Sequence, residues 1–224
     1  VTFLELCQFV REQADLNGTG PASVVGQTGE MGLVVRWTQQ AWLDIERRHH
    51  AWNFLRKPLQ FNAVQGQVEY TLAQMNATDL AVLDFDSIRA YRTALGVTDE
   101  MFVTHWDWQD FYDVYLYGPQ SQGRPTVFTV NPQNKAMNLG SIPGEGYTVK
   151  GWYYRRPAKP MADGDVPAWP DDMHEIVAYR ALIKYANFDA APEVRQSFAD
   201  EYRLMMHRLE RDQLPQLGLG EPLA

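Results

Sequence analysis

The hydrophobic period of this chain changes at Pro58 and changes back beyond Pro157, and that double switch constrains the fold more than any single motif. Before Pro58 the apolar residues recur at helical spacing. Phe3, Leu6, Val10 and Ala14 mark a helix over about 3–16, and Met31, Val34, Ala41, Ile45, Trp52 and Leu55 mark a second over about 30–55. Thr2-Phe3-Leu4-Glu5 reads as a capping box, in which the Thr2 hydroxyl and the Glu5 carboxylate each satisfy an orphan amide. Asn17-Gly18-Thr19-Gly20-Pro21 ends the first helix. Arg47, Arg48, Arg56 and Lys57 complement the dipole at the end of the second, which Pro58 stops.

Between the two switches the period is that of strands. Leu59–Val64 and Val68–Leu72 alternate on either side of Gln65-Gly66, which predicts a β-hairpin. Further strands are predicted at 88–94, 126–130, 135–139 and 147–154, the last three as a meander. One amphipathic helix over about 108–117, capped by Asp107, interrupts them.

Helical spacing returns after residues 157–170, where Pro157, Pro160, Pro167 and Pro170 describe an extended connector. Ile176, Val177, Ala181 and Tyr185 mark a helix from Pro170 to about Phe188. Val194, Phe198, Tyr202, Met205 and Leu209 mark a last one over about 192–213. The expected fold is therefore α+β: a helical bundle built from the N- and C-terminal helices, carrying an inserted small antiparallel β-sheet. The expected domains are a discontinuous bundle (1–57 and 171–214), a β-rich insert (58–156), the connector (157–170) and a tail (215–224) without periodicity.

Composition narrows the function. The net charge is −8, with 20 basic and 28 acidic residues, and no basic stripe is visible of the kind that releases counterions from nucleic acid. A single cysteine, Cys7, removes an internal disulfide and any cysteine-based zinc site, and reads as a buried structural thiol. No apolar run approaches the ~20 residues of a membrane span, and the first residues lack the pattern of a signal peptide, so the expectation is a cytoplasmic protein at synthesis with no membrane partner.

Catalytic and ligand-binding patterns fail on inspection. His174-Glu175-Ile176-Val177-Ala178 has alanine where a zinc protease has its second histidine, so it reads as a polar first turn. His49 and His50 project about 100° apart on a helix. Gly18-Thr19-Gly20 follows a helix rather than a strand and lacks a P-loop ending. Asp84-Phe85-Asp86 begins like a calcium loop, but Ile88 and Arg89 break it. No catalytic residue, metal site or cofactor is assigned, and the chain reads as a non-enzyme. Trp106, Trp108, Phe111, Tyr112, Tyr115 and Tyr117 form an aromatic cluster that suits a core, a protein interface or a carbohydrate-stacking surface.

An ordered series of landmarks spans nearly the whole chain. It comprises Gln40-Ala41-Trp42-Leu43-Asp44-Ile45, then Trp52-Asn53-Phe54-Leu55, the turn at Gly66 with Tyr70, and Gly123-Arg124-Pro125. Tyr154-Arg155-Arg156-Pro157 follows, and Pro167-Ala168-Trp169-Pro170 opens the helix that holds Ala178-Tyr179-Arg180-Ala181. In this order the chain resembles the head-to-tail adaptor (connector) proteins of tailed bacteriophages. The resemblance implies a structural virion protein of the neck, assembled in the host bacterial cytoplasm. It implies a homo-oligomeric ring, typically of twelve subunits, docked beneath the portal protein and offering a platform to tail or nozzle proteins. DNA would pass through it without specific binding, and no cofactor is implied. The alternative from another class is a carbohydrate-binding or tail-associated receptor module using the Trp106–Tyr117 cluster. For the adaptor, the expected protein-interface residues are Arg155 and Arg156 at a strand end, with Leu214, Leu217 and Leu219 after the last helix.

Overall fold

The structure, a computed structural model, describes residues 1–16, 18–189 and 192–215. The fold is α+β. The chain divides into two compact units, one of Val1–Leu55 with Pro157–Ala224 and one of Arg56–Arg156.

The first unit is helical. It contains α1 (Phe3–Gln13) and α2 (Gly29–Arg48) from the first part of the chain. The capping box of α1 forms as the sequence predicts, with Thr2 Oγ1 accepting from the Glu5 amide and the Glu5 carboxylate accepting from the Thr2 amide. Phe3, Leu6, Val10, Val34, Ala41 and Ile45 are all buried, so both predicted apolar faces point into the core.

The second helix is shorter than the spacing suggested: α2 ends at Arg48, not near Leu55. His49 turns extended, and the Trp52 indole N–H donates to the Ile45 carbonyl at 3.1 Å, satisfying an acceptor the helix end leaves open. Trp52 and Leu55 then return to the core from a short 3-10 turn, Asn53–Leu55, which preserves apolar spacing without preserving the helix.

The second unit carries all the strands found among the described residues. They are β1 (Arg56–Ala63), β2 (Glu69–Tyr70), β3 (Leu80–Arg92), β4 (Met101–Phe102) and β5 (Thr104–His105), then α3 (Trp108–Phe111). After it come β6 (Gln122–Gly123), β7 (Val127–Val130), β8 (Met137–Gly140), β9 (Ile142–Pro143) and β10 (Tyr147–Arg155). Pro58 thus lies inside β1, which is the edge of its sheet, where a missing N–H costs no ladder bond.

The strands do not form one small antiparallel sheet. Among the described residues there are two four-stranded sheets, β1-β10-β3-β4 and β2-β8-β7-β5, and a two-stranded β6-β9 sheet. The β5/β7 and β6/β9 pairs are parallel. The turn at Gly66 exists, with φ +81° there and Gln67 N–H donating to the Val64 carbonyl, but its arms do not pair as a hairpin. β1 pairs with β10 along its whole length while β2 joins β8. A side chain closes the turn instead: the Tyr70 hydroxyl accepts from the Val64 amide at 3.0 Å and donates to the Gln67 carbonyl at 2.8 Å.

The expected meander is also divided, since β7 and β8 pair with each other but β10 lies between β1 and β3 in the other sheet. β3 starts at Leu80, before the predicted 88–94. Its alternation fails where Phe85–Ile88 loop out opposite Gly151, which hides the strand from a period-two reading. The predicted 108–117 helix is α-helical only as far as Phe111 and continues as a wider π-type turn over Tyr112–Leu116.

The first unit is completed by a 3-10 turn at Asp171–Met173, α4 (Ile176–Phe188) and α5 (Pro192–Gln213). α4 lies against α1, α2 and α5. On α5, Met206 and Leu209 are buried while Phe198, Tyr202 and Met205 are partly buried; the side chain of Val194 lies outside the described residues. The proline-rich segment 157–170 is bonded to the helices along its length. Phe3 N–H donates to the Asp165 carbonyl at 2.7 Å, the Asp163 carboxylate accepts from Val24 N–H at 2.6 Å, and Glu46 accepts from Ala158 N–H at 2.8 Å.

Candidate functional site

The landmarks of the sequence meet one another inside each unit. In the helical unit, Asp44 Oδ2 accepts from Arg180 Nε and Nη2 at 3.1 and 2.9 Å and pairs with Lys184 at 3.0 Å, which joins α2 to α4. Partial burial opposes ionisation of Asp44, but Lys184 and Arg180 outweigh it and hold the carboxyl below the usual carboxylate range. Trp169 packs edge-on to Trp42 at 5.6 Å and against Phe54 at 5.4 Å, and Phe54 stacks on Trp52 at 5.2 Å. Two neighbouring landmarks and a third more than a hundred residues further along the chain therefore share one aromatic core.

His174, read from sequence as part of a polar helix start, is fully buried. Its Nε2 is 2.9 Å from the Trp169 carbonyl. Nothing in its spacing signals this, because the partner is a backbone oxygen. Cys7 is buried as expected, and burial pushes its thiol up to about 12, which removes thiolate reactivity near neutral pH. Among the described residues, no group of three or more His, Cys, Asp or Glu side chains is placed to hold a metal ion. No helix among them is long and apolar enough to cross a membrane.

In the β unit, Arg124 grips the turn before β4. Its Nη1 bonds both Asp99 carboxylate oxygens at 3.0 and 2.9 Å, and its Nη2 donates to the Ala90 carbonyl at 3.0 Å. The Arg92 amide and Arg124 hold the Asp99 carboxyl below its ordinary range. At the end of the sheet, Lys57 and the Tyr153 hydroxyl converge on Asp79 at 2.6 and 2.7 Å. Burial, and then Asp79, push the Tyr153 phenol up to about 12.

The expected interface residues fall partly into these internal contacts. Arg156 is exposed, yet its Nε donates to the Leu80 carbonyl at 3.0 Å and its amide to the Asp79 carbonyl at 2.7 Å. Arg155 is half-buried and donates to the Arg156 carbonyl at 3.0 Å. Leu214 is half-buried just past α5, with its amide bonded to the Glu210 carbonyl. Leu217 and Leu219 lie outside the described residues. Of these, among the described residues, only the chain neighbours Arg155 and Arg156 are in contact.

Two surfaces of the β unit stand out, of which the sequence marked only the aromatic residues of the second. Leu59, Phe61, Val149 and Tyr153 turn inward to a core shared with Phe128, Met137 and Leu139 of the second sheet. The opposite face of the first sheet therefore carries the alternate residues. There Arg56 lies over the Trp152 ring at 4.8 Å, Arg89 over Phe102 at 4.4 Å and Lys150 over Tyr91 at 5.8 Å. Arg56, Pro58, Gln60, Arg89, Lys150 and Trp152 line an open depression of about 390 Å³, floored by Gly151. A Cβ at Gly151 would stand 2.5 Å from Ile88 Cδ1 and 3.3 Å from Ile88 Cα, so a larger residue beneath the loop-out of β3 would have to displace Ile88. Arg56 pairs with Asp84 and Lys150 with Glu100, but no carboxylate among the described residues pairs with Arg89.

The second surface is the turn following Asp107. Met137 and Leu139 face the core, so Gly140 faces away from it, and a Cβ there would meet Tyr115 Cδ1 at 2.7 Å and Phe111 Cε2 at 3.0 Å. α3 and its turn thus cover the outer face of the second sheet. The aromatic cluster divides accordingly. Phe111 is buried and stacks on Tyr115 at 5.0 Å, while Tyr112 and Tyr117 are exposed, Tyr117 at 76%. Asp107, Asp110 and Asp113 stand beside them in the open, around a second hollow with His105 and Trp106.

No curated protein matches the chain. The ordered landmarks, now seen as contacts within each unit, resemble those of phage head-to-tail adaptors, and a family model agrees with that resemblance. The model, described as SU10 adaptor protein, matches residues 1–219, and the chain belongs to the SU10 adaptor protein family.

Proposed function

We propose that this protein forms the head-to-tail adaptor ring of a tailed phage, docked beneath the portal protein, extending the DNA channel and presenting a platform to tail or nozzle proteins. The observation that carries the reading is the family match, which runs through both the helical and the β unit rather than through one of them. Twelve copies per ring, a place in the virion neck and a purely structural role belong to the same reading. The helices of the two chain ends act as a single bundle that builds the ring, and the β unit is the insert it carries. Charge supports passage of DNA without retention: the helical unit holds 11 basic and 18 acidic residues, and like charge repels phosphate.

Arg155, Arg156 and Leu214 are the proposed partner contacts, with Leu217 and Leu219 following in the C-terminal segment. Co-expression of the full chain with the portal protein of its phage, followed by electron microscopy of the purified complex, tests the reading. Rings seated on portals are expected; a protein that stays monomeric and unbound would sink it. Removal of residues 215–224 is expected to weaken docking while leaving the helical signal of the chain unchanged.

A further inference from the structure

The two outer faces of the β unit are complementary, and they lie on opposite sides of it. One is the cation-bearing face of the β1-β10-β3-β4 sheet, with Arg56, Arg89 and Lys150 set among Trp152, Tyr91 and Phe102. The other is the α3 turn, with Asp107, Asp110 and Asp113 set among Tyr112 and Tyr117. The core and both sheets separate them, because the first sheet turns its inner face to that core and α3 lies beyond the second sheet. We propose that the sheet face is a docking surface for a second copy of this chain, and that its occupant is the acidic, aromatic turn 107–117 of the neighbouring subunit. The proposal rests on the ring reading above and names the contact that closes it.

Three observations select this occupant. First, Arg89 has an aromatic neighbour but no carboxylate partner among the described residues, and its exposed neighbour Phe102 leaves an apolar rim for a ring to cover. Second, Asp110 is exposed and makes no ion pair among the described residues, so a cation from outside meets no competitor there. Third, complementary patches on opposite sides of one body cannot satisfy each other in a two-fold dimer. They join head to tail, which is the geometry that generates rings when the rotation closes. The sheet face is a poor site for duplex DNA, since Asp84 and Glu100 already answer two of its three cations.

Charge reversal on each side, in the full-length chain, separates the outcomes. Arg89→Glu and Asp110→Arg are each at exposed positions, and circular dichroism checks that each variant is folded. Sedimentation velocity at low salt then reads self-association of the wild type, of each variant alone and of a 1:1 mixture of the two. Each variant alone is expected to associate at least roughly tenfold more weakly, because like charges then face each other at every contact. In the mixture each reversed charge meets its opposite in an alternating assembly, and association is expected to recover. Variants that assemble like the wild type, or a mixture that stays apart, would overturn this contact while leaving a ring built on other surfaces standing. A wild type that never self-associates, with or without portal protein, would overturn both.

Discussion

At the scale of single residues, the landmarks that tie this chain to its family are internal fastenings. Trp169 closes an aromatic core with Trp42 and Phe54, and its carbonyl receives the buried His174 ring. Replacing it by alanine leaves a cavity that its rigid aromatic neighbours cannot collapse into. Trp169→Ala is expected to cost about 3–5 kcal/mol, read by denaturant unfolding of the helical signal. Gly140 is fastened in the opposite sense, by space that must stay empty. The Tyr115 and Phe111 rings lie where its Cβ would be, and a ring base cannot slip aside as a flexible side-chain end can. Gly140→Ala is expected to destabilise the β unit by about 1–3 kcal/mol, and to lift the α3 turn from its sheet. Near-ultraviolet circular dichroism, which senses Tyr115 and its neighbours, should change along with the unfolding midpoint. Arg124→Ala, which leaves the Asp99 carboxylate only its bond from the Arg92 amide and the Ala90 carbonyl without its guanidinium donor, is expected to lower the thermal midpoint by several degrees.

At the scale of elements, the helices of the first unit are joined by ion pairs whose stability depends on pH. Asp44 ties α2 to α4 through Arg180 and Lys184, and Glu210 ties α5 to the end of α2 through Arg48 and His49. Burial works against both carboxylates, but the cationic partners win and depress both in the folded state. A depressed folded-state carboxyl contributes stability above its unfolded value of about 4, and that contribution is lost as pH falls below it. The thermal midpoint is therefore expected to fall between about pH 5 and pH 3, and Asp44→Asn should flatten that slope while costing about 1 kcal/mol at neutral pH. Elements of this kind were legible in the sequence because capping boxes and 3.6-residue spacing are local. Phe3, Leu6, Val10 and Ile45 all turn inward as their spacing predicts. Strand pairing was not legible: Val64 and Tyr70 mark a true turn, yet nothing near them states that β1 seeks β10 nearly ninety residues on. The loop-out at Phe85–Ile88 erased the alternation of β3 for the same reason, since the residue it stands opposite, Gly151, belongs to another strand. The aromatic residues of the α3 turn were visible as a cluster in the sequence, but the cationic sheet face was not, because Arg56, Arg89 and Lys150 converge only through that pairing.

At the scale of the whole molecule, charge is divided unevenly between the units. The β unit holds 9 basic and 10 acidic residues and is nearly balanced, which leaves room for local patches of either sign. The helical unit carries almost the entire surplus of acid. A subunit that lined a DNA channel with a basic surface would bind phosphate, release counterions and slow the passage it is meant to allow. A surplus of carboxylates has the reverse effect, and it also lowers non-specific affinity for nucleic acid in the host cell. Fluorescence anisotropy with a labelled duplex should therefore show no binding tighter than about 1 µM at physiological salt, where non-specific binding proteins commonly reach Kd values near that level. Lowering the salt is the stricter condition, because phosphate contacts strengthen steeply as counterions thin out. Self-association through Arg89 and Asp110 should strengthen over the same interval, since it too is electrostatic. A protein that tightens its grip on its neighbours at low salt while still ignoring DNA would behave as a channel subunit must. One that binds duplex at sub-micromolar Kd, with a steep salt slope, would be holding the strand it is proposed to let through.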